Sequence, residues 1–269
     1  MELTTDELPE DLLDALGCDT SASLRTINDS LINSTYCLSS EGERFLIKRF
    51  LADESTGRHR RSLFVIQQKL AAAGIAPKPL FLCDQTGFFA EEWITPSLSP
   101  VSVLPEEERI RCLANALSKI HGLSISTSVM DLPAQWDAYI TAANLTSDDV
   151  RVKQSKKLVF VANSASKQQE HLVFCHNDLA MNHVINHENL RIIDWEYSAT
   201  GNRFFDIASA IVINRLNHTQ SQALIATYAQ ILNFDFAEIE RGVLQHEPLV
   251  SLTYQLWYAA ITQHVKQVP

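Results

Sequence analysis

The sequence predicts an α+β protein of two lobes, a small β-rich N-terminal lobe (residues 1–95) and a larger helical C-terminal lobe (96–269). Three observations predict it. Two pairs of short apolar runs flank turn-forming residues before position 95: 36–38 with 44–48, and 80–83 with 88–91. The Ser-Ser-Glu-Gly and Asp-Gln-Thr-Gly segments between them read as hairpin turns. Apolar residues at helical spacing dominate afterwards, as in Ile110, Leu113, Leu117 and Ile120. A polar break, Ser97-Leu98-Ser99-Pro100, separates the two regimes.

The elements follow in order. Thr4 and Glu7 have capping-box spacing, Leu8, Leu12, Leu13 and Leu16 follow on one helical face, and Gly17 ends that helix. After the first hairpin, residues 55–73 read as a helix closed by Gly74 and Pro77. Beyond the break, helices are predicted over 106–121, 134–144, 147–163, 204–217, 219–232 and 236–265. Among them only Leu172-Val173-Phe174, His183-Val184-Ile185 and Leu190-Arg191-Ile192-Ile193 look like strands.

Bulk properties narrow the function. A chain of 269 residues with 46% hydrophobic content buries sizeable cores and is not disordered. Its net charge of −10 argues against a nucleic-acid partner, because a phosphate backbone needs a basic surface. The acidic balance suits a cationic small-molecule substrate without requiring one. The N-terminus lacks the apolar core of a signal peptide, and no apolar run is long enough to span a bilayer. Five scattered cysteines give no zinc or redox spacing and suit a reducing, cytoplasmic setting.

Chemistry concentrates in two motifs. His176-Asn177-Asp178-Leu179 follows one predicted strand, and Asp194-Trp195-Glu196 ends another. The two aspartates are sixteen residues apart. A carboxylate in a short loop can accept the proton of an attacking hydroxyl, and one at a strand end can hold a divalent ion against phosphates. Asp178 takes the first role in this reading and Asp194 the second. His176 belongs to the same catalytic motif, as a brace for the loop rather than a proton donor. Glu196 shares a face with Asp194 if the backbone stays extended.

Lys48 ends the strand Phe45-Leu46-Ile47-Lys48, where a lysine can grip nucleotide phosphates. Arg49 competes, but alternation places Lys48 on the face of Leu46, opposite Phe45 and Ile47. The stretch 31–36 stands where a phosphate-covering loop belongs. It lacks glycine, so Asn33, Ser34 and Thr35 would form the cradle, or else a plain polar turn. Glu91-Glu92-Trp93-Ile94 ends the N-lobe as a hinge whose backbone, at Glu92 and Ile94, can pair with adenine. Tyr254, Trp257 and Tyr258 sit at i, i+3 and i+4 of the last predicted helix, as an ammonium-binding face or as core.

These residues resemble the aminoglycoside phosphotransferase/choline kinase superfamily. The resemblance rests on His176-Asn177-Asp178-Leu179, Ile193-Asp194-Trp195-Glu196-Tyr197, Gly201-Asn202, Asp206 and Gly74-Ile75-Ala76-Pro77. Asp-Trp-Glu-Tyr is similar to the choline/ethanolamine and thiamine kinase branches. The resemblance implies a protein-kinase-like bilobal fold, ATP with Mg²⁺, and phosphorylation of a small-molecule hydroxyl. It also implies that Asp206 braces the catalytic loop and that the aromatic helix lines the substrate site.

Two departures stand out. The family places asparagine five residues after the base, as a second magnesium ligand. Here that position is His183, with Asn182 one residue early. Asn182, or Glu196 with water, would then complete the ion's shell. The family also pairs the strand lysine with a helix glutamate, where this chain has Leu63, with Glu54 the nearby acid. These departures leave open a degenerate kinase-fold binding protein, and an aminoglycoside-type kinase is the other alternative.

Overall fold

The computed structural model describes residues 3–29, 33–50 and 60–267. Helix α1 (Glu10–Leu16) opens the chain, and Gly17 ends it at φ 64°, a left-handed conformation open to glycine. The capping-box pair acts one turn earlier than expected. The Thr4 N–H donates to the Glu7 carboxylate at 2.8 Å around the 3₁₀ turn Thr5–Glu7, and α1 begins only after Pro9.

Five antiparallel strands follow: β1 (Ser23–Asp29), β2 (Asn33–Ser40), β3 (Glu43–Phe50), β4 (Pro79–Cys83) and β5 (Phe88–Glu92), in the order β1-β2-β3-β5-β4. Between β3 and β4 runs α2 (Arg60–Ala72). Residues 55–59 of the expected helix, Glu54, Leu31 and Ile32 lie outside the described residues. Both expected hairpins form, and Glu41 and Gly42 turn the first with positive φ. One sheet face buries Tyr36, Leu38, Ile47, Phe88 and Ala90 against Leu12, Leu13 and Leu16 of α1. Alternation therefore sends Leu46 and Lys48 to the opposite face.

The rest is helical: α3 (Glu106–His121), α4 (Leu132–Ala142), α5 (Val150–Ala165), α6 (Arg203–Ile213), α7 (His218–Leu232) and α8 (Phe236–Gln267). Each lies within a few residues of its expected span. Their apolar faces close a second, larger core that includes Leu113, Leu117, Trp136, Tyr228 and Leu256. Two small ribbons cross this half. Strand β6 (Leu172–Cys175) pairs with β9 (Ala199–Asn202), and β7 (Val184–Asn186) pairs with β8 (Arg191–Ile192). His183 was expected within a strand but closes the 3₁₀ turn Met181–His183 ahead of β7. No helix among the described residues is long and apolar enough to cross a membrane.

Candidate functional site

The catalytic-type loop leaves β6 at Cys175 and is tied down by one buried acid. Asp206, on the first turn of α6 and fully buried, accepts the His176 N–H at 2.9 Å and the Asn177 N–H at 2.7 Å. Its Oδ2 also faces Nε2 of buried His121 at 3.0 Å, and Nδ1 of that histidine bonds Tyr228 Oη at 2.7 Å. Burial pushes the Asp206 carboxyl up, but the hydrogen bond and charge of His121 outweigh it and hold it below its ordinary value. Asn177 turns the loop in the left-handed region at φ 64°, where asparagine is tolerated.

His176 ties the two motifs together. Its Nε2–H donates to the Ile193 carbonyl at 3.1 Å, while Nδ1 accepts the Asp178 N–H at 3.3 Å. The ring lies 4.7 Å from that of Trp195 and has no exposed surface. Burial, with His183 nearby, lowers its pKa to about 4, so it is neutral. The geometry is that of a brace between Asp178 and Asp194.

Asp194 itself is left-handed, at φ 69°. The backbone there is not extended, as strand alternation would require, and Glu196 begins a turn. Both carboxylates nonetheless line one cavity of about 160 Å³. Asp178 lines it too, accepting a hydrogen bond from Tyr254 Oη at 3.1 Å. Burial and the Asp178 charge raise the Tyr254 hydroxyl well above its ordinary value, so it remains a donor. Trp257 closes the wall, its Nε1–H held by Tyr197 Oη at 2.7 Å. Tyr258 does not belong. It is 63% exposed and faces a separate hollow beside Arg151. It follows Trp257 by one residue, about 100° around the helix, so only two of the three aromatics reach the cavity.

A second cavity of about 460 Å³ also meets Asp194. Its walls are Lys48 and Thr35 of the sheet, the hinge residues Glu92, Trp93 and Ile94, and Asn182, His183 and Asp194 below. Asp194 lines both cavities. Asn33, Ser34 and Thr35 are strand, paired with Phe50, Arg49 and Lys48, rather than loop. Asn33 and Thr35 line the cavity, and the Asn33 amide donates to Glu196 at 3.2 Å. Ser34, the alternate residue, is buried and not among the lining residues. Arg49 is exposed, with its guanidinium 5.6 Å from the Phe88 ring centre.

Lys48 Nζ donates to Asp194 Oδ1 at 2.8 Å. Burial opposes both charges. Their mutual attraction wins, raising the lysine and holding the aspartic acid well below its ordinary range. Leu63 of α2 does stand beside Lys48, in a small hollow shared with Gln67. The nearby N-lobe acid is instead Glu91 of β5, which accepts a hydrogen bond from Gln67 of α2. Burial raises this carboxyl to about 7 against the pull of Lys48 and of the Gln67 bond.

Asn182 and His183 diverge. Asn182 is exposed at the rim of the larger cavity, whereas His183 Nε2 lies 3.5 Å from Asp194 Oδ2. Burial lowers the His183 pKa despite the Asp194 charge. Ligand atoms of Asp178, His183 and Asp194 lie within 4.8 Å of one another. The two carboxylates offer the oxygens that magnesium takes, and the imidazole nitrogen does not suit it. Gln135, Tyr139, Phe205, Ser209 and Thr253 also line the smaller cavity, and no local motif announced them.

Comparison with known proteins identifies the family and the fold. Residues 24–229 match the family model described as choline/ethanolamine kinase. Ethanolamine kinase 2 of Rattus norvegicus is 28% identical over 155 residues, which are 53% of this chain and 40% of that protein. The human ethanolamine kinase 2 is 26% identical over 155 residues, 53% of this chain and 39% of that protein. The match thus spans well under half the length of these relatives. Choline kinase LicA from Streptococcus pneumoniae superposes with a TM-score of 0.74 at 15% identity, covering 97% of this chain and 91% of that one. The type VIII aminoglycoside-3'-phosphotransferase does so with a TM-score of 0.66 at 17% identity, covering 90% and 98%. These neighbours share the protein-kinase-like fold of the chain. With the family model spanning both carboxylate motifs, the chain belongs to the choline/ethanolamine kinase family.

Proposed function

We propose that the chain transfers the γ-phosphoryl group of ATP to the hydroxyl of a small cationic alcohol of the choline, ethanolamine or thiamine type. One observation carries this reading: Asp194 lines two cavities, one bearing Lys48 and the hinge, the other bearing Asp178, Tyr254 and Trp257. The larger cavity then takes the nucleotide and the smaller the acceptor alcohol. Residues 1–95 form the nucleotide lobe and residues 96–269 the lobe with the catalytic loop and acceptor site. Related folds give support, since LicA is known in complex with AMP, and spectinomycin phosphotransferase with ADP and spectinomycin.

In this reading Asp178 orients the acceptor hydroxyl and takes its proton as the oxygen attacks the γ-phosphorus. The bond from that phosphorus to the β–γ bridging oxygen breaks, and ADP leaves with the electron pair. Lys48 moves from Asp194 to the phosphates. Asp194 would hold a divalent cation, which would supply charge neutralisation for the transferring group. Glu196, Tyr197 and Trp257 present negative charge and aromatic surface to an ammonium group. The net charge of −10 suits a cationic substrate better than nucleic acid, and the unpaired cysteines suit a reaction in the cytoplasm.

The test is ATP turnover on a panel of choline, ethanolamine, thiamine and kanamycin-type amines. Turnover of one of the first three supports the reading. Turnover of the aminoglycosides alone replaces the acceptor class. Nucleotide binding without turnover on any of them turns the chain into a binding protein.

A further inference from the structure

His183 turns its Nε2 toward Asp194 Oδ2, 3.5 Å away. Nδ1 of His183 lies 2.9 Å from the main-chain carbonyl oxygen of Asp178. An oxygen acceptor at that distance requires a donor, so Nδ1 holds the ring proton. The Ala180 N–H approaches the same nitrogen at 3.4 Å but already donates to the Asp178 carbonyl at 3.0 Å, so it does not select the other tautomer. Nε2 is therefore the ring nitrogen available to a cation, and it lies 3.5 Å from Asp194 Oδ2. Lys48 serves the other carboxylate oxygen, Oδ1. A cation between Nε2 and Oδ2 would be held by both, and Asp178 offers a third ligand atom within 4.8 Å.

Magnesium is a poor occupant of such a position, because it demands oxygen and dehydrates reluctantly. A borderline dication accepts imidazole, and a backbone carbonyl holding the opposite ring nitrogen is the usual way a ligating histidine is oriented. We propose that this centre prefers a nitrogen-accepting, first-row transition dication to magnesium, with His183 Nε2 and Asp194 Oδ2 as ligands. The inference rests on the phosphotransfer reading and adds the class of ion that the site selects.

The test uses cobalt(II) as the probe against magnesium, on the full chain with a non-hydrolysable ATP analogue. Affinities for each ion are measured by calorimetry, and the visible absorption of cobalt reports nitrogen ligation. His183→Asn, which restores an oxygen ligand, is expected to lower the cobalt-over-magnesium preference by about tenfold or more. It should weaken cobalt while leaving or tightening magnesium, and shift the cobalt spectrum. His183→Gln, a second neutral variant, should move the preference the same way. A preference unmoved by folded variants, or equal weakening of both ions, overturns the inference while leaving the kinase reading intact. Failure of the analogue to bind with either ion sinks the kinase reading and the inference together.

Discussion

Lys48 of the N-terminal sheet and Asp194 of the loop after β8 form a 2.8 Å ion pair in the wall of the larger cavity, and Asp194 also lines the smaller one. In the proposed reaction this pair joins the cation meant for the phosphates to the carboxylate meant for the metal ion, and a nucleotide with its cation would part them.

Lys48→Met should therefore damage the reaction more than the fold. Turnover is expected to fall by about 10² to 10³, the range found on removing one preorganised charge donor. Steady-state kinetics at saturating nucleotide checks this. Normal turnover would remove Lys48 from the phosphate role.

Asp178→Asn separates chemistry from binding. The amide keeps the shape and can still meet Tyr254 Oη but takes no proton. Turnover should drop by about 10² to 10⁴, with nucleotide affinity little changed. Calorimetry beside a coupled assay reads both, and intact turnover with intact binding refutes the assignment.

Asp206→Ala acts on the fold. It leaves the His176 and Asn177 N–H groups and His121 without their shared acceptor. Loss of a buried charged partner costs about 3–5 kcal/mol. Urea denaturation measures it, and a loss under about 1 kcal/mol, within the spread of an ordinary hydrogen bond, would show that the network is not the loop's anchor.

Glu91 gives stability a pH signature. Its folded-state value is about 7, raised from an ordinary 4.5. Between those values the folded protein holds a proton that the unfolded chain has released. Glu91 thus makes stability decline as pH rises through that window, by up to about 1.4 kcal/mol per pH unit. Glu91→Gln should flatten the decline in melts from pH 5 to 7.5. An unchanged slope would assign it to other groups.

Much of this was legible from sequence because the signals are local. Helices α3 to α8 follow from 3.6-residue periodicity, and the hairpins from their turn residues. The His-x-Asp and Asp-Trp-Glu motifs located both carboxylates. Strand β1 went unnamed because it is an edge strand with mostly exposed side chains, and β9 because Ala-Thr-Gly-Asn has the composition of a turn. Its pairing with β6 makes it a strand. The Gln67–Glu91 and His121–Asp206 contacts join residues far apart in the chain, so no spacing rule marks them. Tyr258 was misplaced because an i+4 relation to Tyr254 says nothing about where the cavity wall ends.

The left-handed backbone at Asp194 narrows what selection can do there. Aspartate and asparagine settle in that conformation more readily than most side-chain-bearing residues, and of the two only aspartate brings a full negative charge. In a saturation library at this codon, asparagine and glycine should be enriched among foldable members, and neither supplies the charge. Valine and isoleucine should be depleted. In the proposed role, steric preference and ion chemistry favour the same amino acid, which narrows the routes of neutral drift through this position.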